Sequence, residues 1–175
     1  MRWAGAELHD AAGVAVWAPI LYEGPARALV AGLKFSGAMA LADEMAAAVA
    51  AGAPPGVLEG ALVPVPLSTA RRRERGYNQA ERLAVALGRR TALPVEAVLR
   101  RRGRAGRQLG RSRRERLTIP AETVQVAGSH GAPRRAVLVD DVITTGGTLA
   151  VCAHALRRAG AVEVAAVAYA RTPGR

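Results

Sequence analysis

One short segment, residues 136–149, constrains the fold more than any other part of this chain. It reads Ala-Val-Leu-Val-Asp-Asp-Val-Ile-Thr-Thr-Gly-Gly-Thr-Leu: an apolar run, two adjacent carboxylates, then a turn of threonines and glycines. The apolar run, with two valines, predicts a strand over residues 136–139 that is buried on both faces, as in a parallel sheet. Ligands bind at the carboxyl ends of such strands, so the segment predicts a site as well.

The residues after this strand suit a phosphorylated diol. Asp140 and Asp141 follow it directly, and ionised carboxylates accept hydrogen bonds from a vicinal diol or from a Mg²⁺-bound water shell. In the next turn, glycines let the backbone approach a ligand and threonine hydroxyls can donate hydrogen bonds. A helix begins near the end of this turn, and its first N–H groups are unpaired. The predicted phosphate-binding residues are Thr144, Thr145, Gly146, Gly147 and Thr148.

This segment resembles the phosphoribosyl pyrophosphate (PRPP) loop of type I phosphoribosyltransferases. By that resemblance, Asp140 and Asp141 hold the ribose 2′- and 3′-hydroxyls, the turn holds the 5′-phosphate, and Mg²⁺ binds through PRPP rather than directly to the protein. A Walker A loop does not fit, because it needs Gly-Lys-Ser/Thr. The alternative is a strand with a polar turn and no ligand, which leaves two acids without a cationic or hydroxylic partner.

A second region narrows the resemblance. Residues 62–68, Leu-Val-Pro-Val-Pro-Leu-Ser, and residues 75–79, Arg-Gly-Tyr-Asn-Gln, are similar to signatures of the ComF/GntX branch, the competence-associated phosphoribosyltransferase-like proteins. Tyr77 stands where that signature usually has Phe. Residues 22–25 and 33–35 also look like this branch, so the resemblance runs from about residue 17 to residue 171.

The apolar run over residues 61–65 predicts a second strand, which prolines end. In type I enzymes the turn after this strand binds pyrophosphate, and guanidinium groups pair well with a diphosphate. The resemblance makes Arg75 a catalytic residue that stabilises pyrophosphate, whereas a solvated charge run is an equal alternative for residues 71–73. The residues assigned to the pyrophosphate loop are Val65, Pro66, Arg71 and Asn78.

The charge of the chain also points to anionic ligands. Lys and Arg number 25 against 14 Asp and Glu, a net charge of +11, and PRPP, pyrophosphate and nucleic acid are all polyanions. Nine arginines lie in residues 100–116, interleaved with glycine and serine, which predicts a flexible basic loop. By resemblance this is the catalytic loop, with Gln108 and Arg116 as catalytic residues, although Ile119 replaces the usual Asn. A nucleic-acid arm and a plain solvated loop are the alternatives.

The remaining patterns predict an α/β protein of the type I phosphoribosyltransferase fold: a mostly parallel, doubly wound sheet flanked by helices, with a small N-terminal hood. We expect one domain over residues 1–175, with the hood in 1–56 and the core in 57–175. The core elements are a helix over 79–90 capped by Asn78, a strand over 94–99, a short strand at 124–126, a helix over 149–159 and a strand over 162–170. The hood comprises residues 14–20 and helices over 25–35 and 38–51.

Several function classes are excluded. A single cysteine, Cys152, rules out an internal disulfide and a cysteine zinc cluster, and its helical spacing predicts a packed core thiol. The zinc ribbon that often precedes this family region is not expected, because residues 1–16 lack the ligands. His9, His130 and His154 show no ligand spacing. No stretch predicts a membrane span or signal peptide, so we expect a cytoplasmic protein without membrane insertion.

The sequence thus predicts a Mg²⁺-dependent, PRPP-binding phosphoribosyltransferase-like protein that transfers phosphoribosyl to an unidentified acceptor and releases pyrophosphate. The resemblance implies a role in competence and DNA uptake or in nucleotide salvage. Expected partners are PRPP, the acceptor, single-stranded DNA or competence machinery, and a second copy in a homodimer. The alternative is a non-catalytic PRPP sensor, or a nucleic-acid-binding protein of DNA uptake that uses the arginine-rich loop.

Overall fold

The structure is a computed structural model, and it describes residues 1–5, 7–35, 39–101, 124–128 and 131–173. Within these ranges the strands are β1 (His9–Asp10), β2 (Ala15–Trp17), β3 (Ile20–Leu21), β4 (Ala61–Pro64), β5 (Leu99–Arg101), β6 (Val124–Val126), β7 (Arg135–Ile143) and β8 (Glu163–Arg171). The helices are α1 (Gly24–Phe35), α2 (Met39–Gly52), α3 (Thr69–Arg75), α4 (Gln79–Thr91) and α5 (Gly147–Arg158).

The main sheet is mostly parallel. Its strands follow the order β1-β2-β8-β7-β4, and β3 also pairs with β8. All pairs are parallel except β1 with β2. Parallel neighbours need a crossover connection, and α4 and α5 lie in the connections that follow β4 and β7. The predicted fold class, a mostly parallel sheet flanked by helices, is confirmed.

β7 is buried on both faces, as the apolar run predicts. Ala136 and Leu138 belong to a core cluster that contains Cys152 of α5. Val137 and Val139 belong to the cluster on the opposite face, which contains residues of α1, α2 and α4. Successive side chains of a strand point to opposite faces, so one apolar run supplies both cores.

The N-terminal segment contributes directly to the sheet. Residues expected as part of a hood form β2 and β3, which extend the sheet beyond β8. Trp17 is fully buried in the same cluster as Met45 of α2 and Leu87 of α4. The two helices expected at 25–35 and 38–51 are present as α1 and α2, and they cover one face of the sheet.

The helices and strands of the core agree with the sequence patterns within two residues at α4, α5, β6 and β8. Hydrophobic spacing at the helical or strand period sets these elements, so their existence is readable from sequence. None of the helices in the described ranges combines the length and apolarity needed to cross a membrane.

The prediction of a strand over residues 94–99 is wrong. Leu62 N donates to Pro94 O and Glu96 N donates to Leu62 O, and these two bonds form a single parallel bridge between Val95 and Leu62 of β4. Val98 N then donates to Glu96 O, a tight turn that breaks the extended backbone. The chain re-forms a strand as β5, which pairs with β6 in a separate two-stranded antiparallel sheet.

β7 is also longer than expected. The strand was predicted to end at Val139, but it continues to Ile143 because Asp140 pairs with Ala168 and Val142 pairs with Ala170 of β8. The two carboxylates therefore lie within the strand, near its carboxyl end, and the neighbouring strand fixes their backbone.

Candidate functional site

A cavity of about 260 Å³ lies at the carboxyl edge of the sheet, beyond the ends of the neighbouring parallel strands β4 and β7. Turns that follow parallel neighbours meet at the same edge, which brings distant parts of the chain together. Predicted site residues that line this cavity are Val65, Pro66, Arg71, Arg75, Asn78, Asp140, Asp141, Thr144 and Thr148. A smaller adjoining cavity of about 40 Å³ is lined by Thr144, Thr145, Gly146, Gly147 and Thr148, among others.

The turn after β7 forms the smaller cavity. Gly146 is the N-cap residue of α5, with a φ of 74°, and it has no side chain to bond the first N–H groups of the helix. Unpaired N–H groups at a helix start carry partial positive charge and bind anions. This turn has the donors that a phosphate group needs.

The two glycines of this turn have different roles. A Cβ at Gly146 would lie 2.5 Å from the Cβ of Ala11, so Gly146 is required for packing against the protein itself. A Cβ at Gly147 would meet only Thr145 Oγ1, at 3.8 Å, and this residue is exposed. Close approach to a ligand, expected at both glycines, therefore fits Gly147 alone.

The turn between β1 and β2 supports the turn after β7 from outside. Gly13 N donates to Asp10 Oδ1 at 3.1 Å, and Ala11 N donates to Val14 O at 3.0 Å. This tight turn places Ala11 against Gly146. Since β1 and Ala11 are distant in sequence from α5, hydrophobic periodicity gave no signal for this contact.

Asp140 and Asp141 differ in their surroundings. Asp141 is only 4% exposed, and Lys34 Nζ of α1 lies 2.9 Å from its Oδ2. The contact is an ion pair rather than an aligned hydrogen bond, because Oδ2 has no hydrogen-bond partner within the described part of the chain. Asp140 Oδ1 accepts from Asp141 N at 2.8 Å. Burial, and then the negative charge of Asp141, raise the pKa of Asp140 well above its ordinary value.

The turn after β4 is held by Asn78. This side chain is 6% exposed; its Nδ2 donates to Val65 O at 2.9 Å and its Oδ1 accepts from Ala80 N at 3.1 Å. The second bond is the N-cap of α4 that the sequence predicts. One amide therefore fixes both the start of α4 and the backbone of the turn.

The arginine run forms α3, a helix that the sequence analysis did not anticipate. Ser68 caps it by accepting from Arg71 N at 3.3 Å, and Gly76 ends it in a left-handed conformation. Arg71 and Arg75 lie four residues apart, on one face of α3, and both line the larger cavity. Arg75 Nη1 also donates to Gln79 Oε1 at 3.2 Å. The site thus has a cationic side opposite the acidic strand.

A protein-family model described as a phosphoribosyl transferase domain matches residues 35–175. This chain belongs to that family. Both turns of the cavity lie inside the match, and the type I phosphoribosyltransferase resemblance read from their motifs is confirmed, as is the relation to ComF.

Relatives of this phosphoribosyl transferase domain match shorter parts of it. Competence protein F of Haemophilus influenzae is 38% identical over 117 residues, which are 65% of this chain and 51% of that protein. The chain thus spans about half the length of this curated relative. Adenine phosphoribosyltransferase of Mycobacterium avium is 50% identical over 50 residues, 29% of this chain and 25% of that enzyme.

Among solved structures, glutamine PRPP amidotransferase from B. subtilis, complexed with ADP and GMP, superposes with a TM-score of 0.45 at 22% sequence identity. The superposition covers 74% of this chain and 25% of that one.

Six residues lining the larger cavity of this phosphoribosyl transferase domain were not singled out as site residues from sequence: Tyr22, Lys34, Leu67, Gln79, Arg101 and Val142. Two signals set Lys34 apart: it is the only lysine of the chain, and it lies in the 33–35 segment that resembles the ComF/GntX branch. Arg101 was assigned to the basic loop, but it lies in β5. Gln108, Arg116 and Ile119, and most of that loop, lie outside the described residues.

Cys152 is a core residue, as its spacing predicts. It is fully buried, and burial raises the pKa of its thiol to about 12. The thiol therefore stays protonated at neutral pH and is a poor nucleophile. It has no place in the chemistry of the cavity.

Proposed function

We propose that this chain binds Mg²⁺-PRPP in the cavity between the β4 and β7 turns and transfers its phosphoribosyl group to an acceptor. One observation carries the proposal: an acidic strand end with a phosphate-binding turn and a turn flanked by arginines converge on a single cavity of about 260 Å³. PRPP has matching parts in the same order, namely a 5′-phosphate, a diol and a diphosphate.

Each part of PRPP is assigned to one side of the cavity. The 5′-phosphate binds at Thr144–Thr148, where Gly147 is open and the start of α5 offers N–H donors. The ribose hydroxyls donate to Asp140 and Asp141. The diphosphate binds at the Val65–Pro66 turn, close to Arg71 and Arg75.

The residues fit a Mg²⁺ ion that arrives with the diphosphate. Within the described ranges, no group of three or more His, Cys, Asp or Glu side chains could hold a metal ion, and the carboxylates that line the cavity are those of Asp140 and Asp141. Asp141 Oδ2 is buried and retains acceptor capacity toward a water of the ion's shell or a ribose hydroxyl. When bound, Mg²⁺ offsets negative charge on the diphosphate.

In the proposed reaction the bond between ribose C1 and the diphosphate oxygen breaks, and the electron pair leaves with pyrophosphate. The acceptor atom bonds to C1 and loses a proton. Arg75 stabilises the negative charge on the leaving pyrophosphate, and the two acids hold the ribose. Because the fold already holds these charged groups in place, they need not rearrange during the reaction. Gln108 and Arg116 are proposed to complete the site from the basic loop.

Calorimetry with three ligands tests the site assignment. We expect Mg²⁺-PRPP to bind more tightly than ribose 5-phosphate or Mg²⁺-pyrophosphate, because each fragment occupies only one of the two turns. Equal affinity for PRPP and one fragment would contradict the two-turn site. Pyrophosphate release with candidate acceptors then tests turnover; binding without release for any acceptor supports a PRPP sensor.

A second candidate function, nucleic-acid binding, is favoured by the exposed Arg71, Arg72 and Arg73 of α3 and by the name of the relative, Competence protein F. Single-stranded DNA, competence machinery and a second copy of the chain are proposed partners, and the cytoplasm is the proposed compartment. Deleting residues 103–114 separates the functions. Loss of turnover with PRPP binding kept supports the enzyme, whereas a smaller salt dependence of DNA binding supports a nucleic-acid arm.

A further inference from the structure

Lys34 occupies an unusual position for a residue of α1. Its Nζ lies 2.9 Å from Asp141 Oδ2, and its side chain is 23% exposed against 5% for the aspartate. Lys34 also lines the larger cavity. It therefore contacts the carboxylate proposed to hold the ribose from a helix that carries no other part of the proposed PRPP contacts.

Tyr77 fixes the end of α1 that carries Lys34. Its hydroxyl donates a short hydrogen bond to Leu33 O, one of the last carbonyls of the helix. The last four carbonyls of a helix have no partner within it, so this bond satisfies one of them. Arg82 of α4 stacks over the Tyr77 ring, with Cζ 3.9 Å from the ring centroid, and holds the ring in place.

Within the Arg-Gly-Tyr-Asn-Gln motif, Tyr77 adds a hydroxyl at the position where the ComF/GntX signature usually has Phe. Tyr77 immediately precedes Asn78, which holds the pyrophosphate turn through Val65 O. The motif thus connects to both sides of the cavity: Asn78 to the β4 turn, and Tyr77, through Leu33 and Lys34, to the acid on β7.

We infer that Lys34 is a positioning residue for the ribose of PRPP, that it acts through Asp141, and that the Tyr77 hydroxyl holds it in place. The inference rests on the proposed PRPP site. With Lys34 present, Asp141 is turned toward α1. Without it, the remaining cations that line the cavity are Arg71, Arg75 and Arg101, and we expect the carboxylate to turn toward these arginines and away from the ribose.

The alternative is that the ion pair between Lys34 and Asp141 only blocks the site in the free protein. In that case, removing the ion pair would tighten PRPP binding. Positioning predicts weaker binding. The sign of one measurement therefore separates the two roles.

The experiment is calorimetric titration of variants of the whole 175-residue chain with Mg²⁺-PRPP. We expect K34M to weaken binding by about 10- to 100-fold, as for a charge-assisted contact, and K34R to recover part of it. R89M is the matched control, since it removes one positive charge and an exposed ion pair with Asp43, 3.0 Å long, on the outer side of α4. Its affinity should equal that of the wild type.

Y77F keeps the ring and removes one oxygen, so it tests the hydrogen bond from the Tyr77 hydroxyl to Leu33 O without disturbing the fold. We expect about 3- to 10-fold weaker binding, as for one hydrogen bond, and no further loss when Y77F is added to K34M. Y169F is its control, because it also removes one tyrosine hydroxyl: Tyr169 is buried, and its hydroxyl contacts Met1 Sδ, away from the cavity. Full additivity of Y77F and K34M would overturn the link between the two residues.

The outcomes distinguish this inference from the proposed function. A wild-type protein that does not bind Mg²⁺-PRPP overturns both. Wild-type binding that K34M leaves unchanged or strengthens overturns the positioning role only. If K34M does not fold, the affinities of K34R and Y77F for Mg²⁺-PRPP test the inference instead. Wild-type affinity in both variants would contradict it, and weaker binding in both would support it.

Discussion

The turns after β4 and β7 lie side by side at the carboxyl edge of the sheet, yet they are supported in different ways. The β4 turn is held by Asn78, which lies 13 residues after Val65 in the chain. The β7 turn packs against Ala11, and the acidic end of β7 just before it pairs with Lys34; both residues are more than a hundred positions away in sequence. When the residue that holds a turn is close in sequence, one motif predicts both the turn and the contact that holds it. When that residue is far away in sequence, the motif predicts only the residues that face the ligand.

The two turns also differ in charge. The β7 side presents carboxylates, hydroxyls and backbone donors, and the β4 side is flanked by arginines. A ligand with a neutral diol and an anionic group at each end would satisfy both sides. We therefore propose that the two turns bind different parts of one molecule.

The largest effect is expected from D140N combined with D141N. Asn can still accept hydrogen bonds but carries no charge, and the ribose and Mg²⁺ water shell lose both carboxylates, so Mg²⁺-PRPP affinity should fall by about 100-fold or more. Calorimetric titration measures it. The β4 turn is untouched, so Mg²⁺-pyrophosphate binding should change much less; unchanged PRPP affinity would remove the acids from the site.

The single variants of the acid pair should change stability in opposite directions. Because the folded-state pKa of Asp140 is raised, chiefly by burial, ionisation of Asp140 destabilises the folded protein increasingly as pH rises above the ordinary range of an aspartate. D140N should therefore raise the melting temperature at pH 7 and lose this advantage near pH 4. D141N leaves Lys34 without the carboxylate of its ion pair and should lower the melting temperature. Thermal unfolding of both variants at the two pH values checks this contrast.

G146A tests the remote support. Its φ of 74° and the contact 2.5 Å from Ala11 Cβ disfavour any side chain, so we expect a loss of about 1–3 kcal/mol in the free energy of unfolding. G147A is the matched control. It has open space, so the protein should keep most of its stability but bind PRPP less well, because the methyl group faces the phosphate position. Equal stability losses in the two variants would contradict the separate roles.

Asn78 tests the local support. N78S keeps an N-cap for α4 but cannot reach Val65 O, whereas N78A loses both bonds. We expect N78A to lower the free energy of unfolding by about 1–2 kcal/mol and N78S by less. Both should weaken Mg²⁺-pyrophosphate binding to a similar degree. Normal pyrophosphate affinity in N78S would show that the Val65 bond does not shape the turn.

The smallest effect is expected at Cys152, which belongs to neither turn. Its buried thiol, with a pKa raised to about 12, should not react with a thiol reagent in the folded protein at pH 8 and should react fully in denaturant. C152A should leave PRPP affinity unchanged. A fast reaction in the native state would show that α5, and with it the phosphate turn, opens readily.

The sequence was sufficient where one element carries its own pattern. The apolar run of β7 predicts a strand with two buried faces, and the Asn78 cap predicts the start of α4; both are present. The strand boundary after Val139 was misplaced because pairing with β8 extends β7 across two charged residues, and local composition cannot report that pairing.

Contacts between remote elements could not be predicted. Lys34 against Asp141, Ala11 against Gly146, and Tyr77 against Leu33 O all depend on how helices and turns pack. The strand expected at 94–99 failed for a related reason: its apolar residues suit a strand, but the tight turn at Val98 redirects the chain toward β6. Tertiary packing decides such cases over local propensity.

The most direct test of the two-turn site is a crystal structure of the protein grown with Mg²⁺ and PRPP. We predict the 5′-phosphate within about 3 Å of backbone N–H groups of Gly147 or Thr148, the ribose hydroxyls on Asp140 and Asp141, and the diphosphate against Arg71 or Arg75. PRPP with both ends bound at one turn, or bound away from this cavity, would contradict the account.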